Sequence, residues 1–263
     1  MFRLLIAPLF CLTLLFSSAA AADDAMNQPM VIGATAITVK PSGMPGIEAM
    51  AKAYVAASRQ LESERHWTTW RQLAGNPNQL MFIRTYPNFA AMDEEPMDPL
   101  TRTLGVERAQ EVRAAWTAVE QVQTGIWRHS PQLSVGKPSN DAPGQSMWLQ
   151  IEVAAGQEQL YMAYLDKVAE ATRKVMPEAN YQTFMPVAGE PQFWVFAVDA
   201  TYAQMDQNMM GMNVPARLKK AFGAKEAARL AAMREKAITD AHWVIAKADA
   251  ELSYWPEAPL ASR

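Results

Sequence analysis

Trp67–Gly75, WTTWRQLAG, returns in altered form at Tyr181–Gly189, YQTFMPVAG, and this recurrence sets the reading of the whole chain. The match extends outward in the same order. From its Ala-Gly each copy passes a proline, Pro77 or Pro191, into an apolar run: Gln79–Thr85 (QLMFIRT) in one, Gln192–Val198 (QFWVFAV) in the other. Phe89–Asp93 (FAAMD) answers Tyr202–Asp206 (YAQMD), Ala53-Tyr54-Val55 answers Ala163-Tyr164-Leu165, and Leu133-Ser134 answers Leu252-Ser253. The shift drifts between 110 and 119 residues, as a few loop insertions would produce. The chain therefore reads as a tandem duplication, with units at 30–135 and 147–255 joined by a polar, turn-rich linker at 136–146.

Within the first unit, Val31–Val39 is β-branched and ends at a Lys-Pro-Ser-Gly turn, which predicts a strand. Pro45 suits the first turn of a helix, and Ile47, Met50, Ala51, Tyr54, Ser58 and Leu61 recur at helical spacing opposite Glu48, Lys52, Arg59 and Glu62. Strands follow at about 66–73 and at Gln79–Tyr86, with a short helix at 88–94 capped by Asn88 and broken by Pro96 and Pro99. A long helix is predicted over 106–123, ended by Gly125, and a fourth strand over 126–135. The second unit predicts strands at 147–153, 180–187, 192–199 and near 243–250, with helices at 157–175 and between 202 and 239. Each unit is β-α-β-β-α-β, the ferredoxin-like pattern.

A lone unit of this kind covers one face of its sheet with helices and leaves the other polar. These strands are apolar on both faces. Leu80 and Phe82 oppose Met81 and Ile83, and Phe193, Val195 and Ala197 oppose Trp194, Phe196 and Val198. The expectation is that the two sheets pack face to face. On this element order and burial, 30–254 resembles the dimeric α+β barrel superfamily: an α+β fold of two tandem βαββαβ repeats forming an intramolecular dimeric barrel. FAAMD and YAQMD are similar to the short aromatic helix of its antibiotic-biosynthesis-monooxygenase and NIPSNAP-like branches. The resemblance implies a small-molecule cavity, in a binding protein or in a cofactor-independent monooxygenase, among other activities of that superfamily.

Residues 1–22 have the pattern of a secretory signal: Arg3, an apolar core from Leu4 to Phe16, then small residues with Ala20 and Ala22 at the peptidase positions. The apolar core is shorter than the roughly 20 residues a spanning helix needs. Bulky Phe10 before Cys11, the only cysteine, argues against lipidation, so the exported chain has no thiol. The expected location is periplasmic or secreted. Removing Arg3 with the leader takes the net charge from −3 to −4, and no basic block suggests nucleic acid. No later stretch is apolar over spanning length, so no membrane partner is expected; the expected partner is a small-molecule ligand, with self-association left open.

Polar groups on apolar strands are the candidate site, because burying an unpartnered charge costs several kcal/mol (roughly). Arg71 and Arg84 lie on strands of the first unit where the second has Met185 and Ala197; Arg128 and His129 lie on the fourth strand; Glu152 breaks an apolar alternation beside Gln150. The expected ligand-binding set is Trp67, Arg71, Arg84, Arg128 and Glu152, with Arg84 steadying an anion and His129 moving a proton in the catalytic reading. Alternatively Arg84 and Glu152 reach solvent at strand ends or pair with each other. Trp70, Trp127 and Trp243 are expected mainly in the core. His66, His129 and His242 share no metal-ligand spacing, and no cofactor is implied. A separate reading gives Met205, Met209, Met210 and Met212, with Met92 and Met97, to Cu(I), a soft cation that thioethers hold.

Overall fold

The computed structural model describes residues 30–93, 98–137, 144–189, 193–199 (backbone) and 213–255. The leader with Cys11, the body of the linker, and Met97, Met205, Met209, Met210 and Met212 lie outside the described residues. The first half is β1 (Val31–Val39), α1 (Met44–Gln60), β2 (Thr68–Ala74), β3 (Gln79–Tyr86), α2 (Ala90–Asp93), α3 (Pro99–Leu104), α4 (Val106–Arg113) and β4 (Val119–His129). The second is β5 (Gln145–Val153), α5 (Glu158–Val175), β6 (Gln182–Ala188), β7 (Phe193–Asp199), α6 (Val214–Phe222), α7 (Ala224–Ala237) and β8 (Ile238–Ala248). None of the described helices is long and apolar enough to cross a membrane.

The strands hydrogen-bond in the order β1-β3-β2-β8-β5-β7-β6-β4, and β4 returns to β1, closing a barrel. The order within the two halves is the same, and so is the register. Val31 pairs with Arg128 as Gln145 pairs with Lys247, and the slip at Thr38/Val39 recurs at Glu152/Val153. At the seams, Trp70 faces Ala248 as Phe184 faces His129. The two sheets thus join edge to edge rather than stacking as separate layers. Closure satisfies the backbone groups that free edge strands would expose.

Alternation then buries both faces in different places. Trp70, Trp148, Val244 and Ala246 cluster inside with Met81 and Ile83, and the two indoles meet edge to face at 5.1 Å. Burying an indole contributes roughly 4–6 kcal/mol as an upper bound, so this part of the interior is core rather than cavity. Outside, Ile37, Val39 and Leu80 pack on Ile47, Met50 and Ala51 of α1.

Each seam is locked by the same clasp. In one, the Thr69 amide donates to Ser253 Oγ (2.9 Å), Thr69 Oγ1 to the Leu252 carbonyl (2.7 Å) and Ser253 Oγ to the Asp249 carbonyl (2.6 Å). In the other, the Thr183 amide donates to Ser134 Oγ (2.9 Å), Thr183 Oγ1 to the Leu133 carbonyl (2.9 Å) and Ser134 Oγ to the Ser130 carbonyl (2.7 Å).

Several predicted boundaries move. The helix expected over 106–123 ends as α-helix at Arg113, tightens into a 3₁₀ turn at Ala114–Ala118, and gives way to β4 at Val119; β4 then stops at His129, well short of Val135. Gly125 is no helix stop. It sits mid-strand opposite Ala34, where a Cβ would lie 2.2 Å from the Trp127 ring. The last strand likewise starts early, at Ile238. Pro99, expected to break a helix, begins one, because Asp98 Oδ2 accepts the Thr101 amide at 2.8 Å and proline needs no amide in a first turn. Asn88 caps α2 as expected, accepting the Ala91 amide at 3.0 Å.

The seams give a paired test. Gly75 and Gly189 occupy matching strand ends with φ of +122° and +94°. A Cβ on Gly75 would meet the movable tip of Gln72, whereas one on Gly189 would lie 2.2 Å from the Thr124 carbonyl oxygen and 2.6 Å from Gly125 Cα. Gly75→Ala should cost about 1–2 kcal/mol of backbone strain in urea unfolding, and Gly189→Ala measurably more. Equal costs would show that β4 and β6 are not in this contact.

Candidate functional site

A cleft lies outside the barrel interior, between the outer face of the first half's sheet and its helices. It has a volume of about 1050 Å³. Its floor is Gly33 and Thr35 of β1 with Phe82, Arg84 and Tyr86 of β3, all on the outward face by the pairings Gly33 to Arg84 and Thr35 to Phe82. Met50, Ala51, Tyr54 and Ser58 of α1 form the roof; Trp67, Arg65, Asp98, Arg113 and Trp116 complete the walls.

One wall is a fixed polar cluster. Arg113 donates to Asp98 Oδ2, to Thr101 Oγ1 (2.8 Å) and to the Tyr54 hydroxyl (3.2 Å). Partial burial would raise the Asp98 carboxyl, but the Thr101 amide and hydroxyl, Tyr54 and Arg113 outweigh it and hold it below the usual carboxylate range. Burial pushes the Tyr54 phenol up, with Arg113 opposing. Asp98 is thus ionised and Tyr54 protonated at neutral pH. Ser58 is 0% exposed and its Oγ has no hydrogen-bond partner, a state that costs about 1–3 kcal/mol unless something else satisfies it.

The sequence-derived candidates separate. Trp67 and Arg84 line the cleft. Trp67 is held by its Nε1, which donates to the Leu252 carbonyl at 2.9 Å. Arg71 faces the same way but is engaged by Glu48 (2.8 Å) and Asp249 (2.7 Å), a link between α1, β2 and the turn after β8. Burial would raise the Asp249 carboxyl, yet Arg71 and the Leu252 and Glu251 amides hold it low. Glu152 lies on the interior-facing side of β5 with Trp148, across the sheet from the face carrying Arg84, so the two do not pair. Beside it Gln150 Oε1 meets His242 Nε2 at 2.7 Å.

Arg128 and His129 belong to a separate cavity of about 590 Å³ between the end of β4 and α5. His129 is 4% exposed, with Nε2 2.8 Å from Gln182 Oε1 and 3.1 Å from Ser134 Oγ. It braces a seam and does not share the cleft with Arg84. Burial lowers its pKa from the ordinary 6.5, partly offset by Gln182.

The residues the strand search passed over are Tyr54, Ser58, Asp98 and Arg113, all on helices or their caps. Two signals were present: a serine within the apolar stripe of α1, and Asp98-Pro99, which marks a helix start.

No protein-family model matches the chain, and no curated protein does. Solved structures do. An anthrone oxidase-like protein superimposes with a TM-score of 0.51 at 9% identity, over 91% of this chain and 98% of its own. A candidate monooxygenase from Lactobacillus acidophilus NCFM gives 0.49 at 9% identity over 86% and 96%. Chlorite dismutase from Candidatus Nitrospira defluvii gives 0.48 at 7% identity over 88% and 96%. What is shared is the fold. It agrees at that level with the superfamily resemblance read from the strand pattern.

His129 makes stability depend on pH. Its folded pKa is below its unfolded one, so no cost arises above about pH 6.5, and a cost grows as pH falls and the unfolded chain takes up the proton first. In urea unfolding, wild type should therefore lose stability relative to His129→Asn below pH 6.5 and hold a constant difference above it. A difference that stays flat across that range would mean His129 is not buried.

Proposed function

We propose that the chain is two copies of one βαββαβ unit closed within a single polypeptide, an intramolecular counterpart of a dimeric α+β barrel. Its first half binds a small, largely apolar molecule in the cleft beneath α1.

One observation carries the reading: the same framework is open in one half and filled in the other. Strand register shifts β1 and β3 by 114 residues, so Gly33 corresponds to Met147 and Thr35 to Leu149. The helix match, Ala53 to Ala163, shifts α1 by 110, so Ala51 corresponds to Tyr161 and Ser58 to Val168. At all four positions the second half has the larger or more apolar side chain. Met147, Tyr161 and Val168 are buried there, the last two in a cluster with Tyr164, Leu165, Leu218 and Leu230. Among the described residues, smaller side chains replace those that fill this space in the second half where the cleft lies. An empty apolar space of this size forfeits packing, so its retention fits a ligand.

Binding is favoured over turnover. Neighbours named as an anthrone oxidase-like protein and a candidate monooxygenase raise an oxidative reading, which asks for a group that exchanges protons near neutrality. No histidine is among the described residues lining the cleft, and the ionisations of Asp98 and Tyr54 are pushed apart. We also infer export, on the leader pattern of residues 1–22.

Two measurements test these readings. Ala51→Tyr should fold with unchanged far-UV circular dichroism and lose at least about tenfold in affinity for the neutral fluorescent probe N-phenyl-1-naphthylamine, since one filled pocket removes more than 1.4 kcal/mol of apolar contact; undiminished binding would remove the cleft as the site. Intact mass of protein recovered from its native host should begin at Asp23, and a chain retaining Met1 would end the export reading.

A further inference from the structure

We propose that Ser58 selects the ligand: the molecule enters the cleft leading with a neutral oxygen, a carbonyl or similar acceptor, that takes a hydrogen bond from the Ser58 hydroxyl. This rests on the cleft reading above and adds the chemistry of the end that enters first.

Ser58 is 0% exposed, lines the cleft from α1, and has no hydrogen-bond partner for its Oγ. A buried hydroxyl inside a helix can return its proton to the carbonyl four residues back, as Thr172 Oγ1 on α5 does to the Val168 carbonyl at 2.7 Å. Ser58 makes no such bond to Tyr54. Nor does its hydroxyl belong to the framework the two halves share. The helix shift of 110 residues takes Ser58 to Val168, which packs in the second half's core. The strand shift of 114 takes Thr35, on the cleft floor, to Leu149. Two hydroxyls of the open half thus stand where the filled half has aliphatic side chains.

Burial sets which end of a ligand meets it. Arg84 and Trp116 are exposed, whereas Ser58 lies with Met50, Ala51 and Trp67 among the buried residues of the lining. A charged group at that end would exchange its water for one hydroxyl and apolar walls, a loss that a single neutral hydrogen bond does not offset. The charged side chains of the lining do not alter this. Arg113 is engaged by Asp98, Thr101 and Tyr54, and Arg65 and Arg84 make interactions of their own. A carbonyl oxygen needs one donor and brings no donor that must itself be satisfied. It meets Ser58 and leaves the rest of an apolar body to Met50, Tyr54 and Phe82.

The test titrates full-length protein with two probes of nearly equal shape, 2-acetylnaphthalene and 2-isopropenylnaphthalene, a carbonyl and its methylene counterpart. Binding is followed by quenching of tryptophan fluorescence, since Trp67 and Trp116 line the cleft. Ser58→Ala should weaken the ketone about fivefold, the worth of one neutral hydrogen bond, and leave the hydrocarbon within about twofold. In thermal unfolding without ligand, the same variant should unfold about 2–4 °C above wild type, because it removes a buried hydroxyl that has no partner in the free protein. A lower midpoint, or an equal loss of both probes, would overturn the inference, since the serine would then serve the fold or the shape of the cleft. Ala51→Tyr separates the two readings. If it weakens both probes at least about tenfold while Ser58→Ala spares both, the cleft stands and the role of Ser58 falls. If either probe binds Ala51→Tyr as tightly as wild type, or wild type binds neither, the cleft reading falls and this inference with it.

Discussion

Both seams of the barrel depend on one local device, a threonine on the second strand of one half whose amide and hydroxyl are both satisfied by the tail of the other. Thr69 and Thr183 are each 0% exposed, and their partners come from Leu252-Ser253 and Leu133-Ser134. An unmade hydrogen bond at such a buried site costs about 1–3 kcal/mol per group. Opening either seam would orphan several groups and uncover Trp70 and Trp148 besides. The halves are therefore not independent domains that happen to touch, and the linker between β4 and β5 is not what keeps them together.

Because the sheets close on each other, their outer faces are free to differ, and they do. In the second half the space between sheet and helices is solid: Tyr161 and Tyr164 stack with ring centroids 6.1 Å apart, and Tyr161 is buried so deeply that its phenol is pushed well above its ordinary pKa. In the first half the same layer is thinned by glycine, alanine and serine at the cleft, beside the apolar packing of Ile47 and Met50 on Ile37, Val39 and Leu80, and ionic contacts join α1 to its neighbours. The barrel tolerates this because the clasps at both seams and the indoles that meet inside it supply the closure that neither helix layer must provide.

The strand content was legible from the amino acids, and Val31–Val39 and Gln79–Tyr86 have the limits their alternation implies. The fourth strand was not, because Val119–Gln123 carries only two apolar residues and lies between a helix-like run and a glycine that resembles a stop. That residue is small for a tertiary reason, the Trp127 ring above it, which local pattern does not encode. The site divided in the same way. Trp67 and Arg84 were visible as unusual residues on strands, but apolar patterning on both faces could not say which face held the space. A search confined to strands assigned His129 to chemistry when its neighbours Gln182 and Ser134 make it a brace, and it missed the helix-borne Tyr54 and Arg113.

The ionic contacts of the first half have a geometric consequence. Arg71 ties Glu48, in the second turn of α1, to Asp249 after β8, while Arg113 ties Tyr54, two turns further along, to the cap of α3. The roof of the cleft is thus held from below by the neighbouring half's strand end and from the side by α3 and α4. Apolar packing would hold a helix only by filling the space beneath it. Directional contacts at its margins supplement the apolar packing of Ile47 and Met50 on the sheet and leave the space at Gly33, Ala51 and Ser58 open, with Arg71 and Arg113 where the other half, matched at Trp67 with Tyr181 and at Gly105 with Gly223, has Met185 and Ala231.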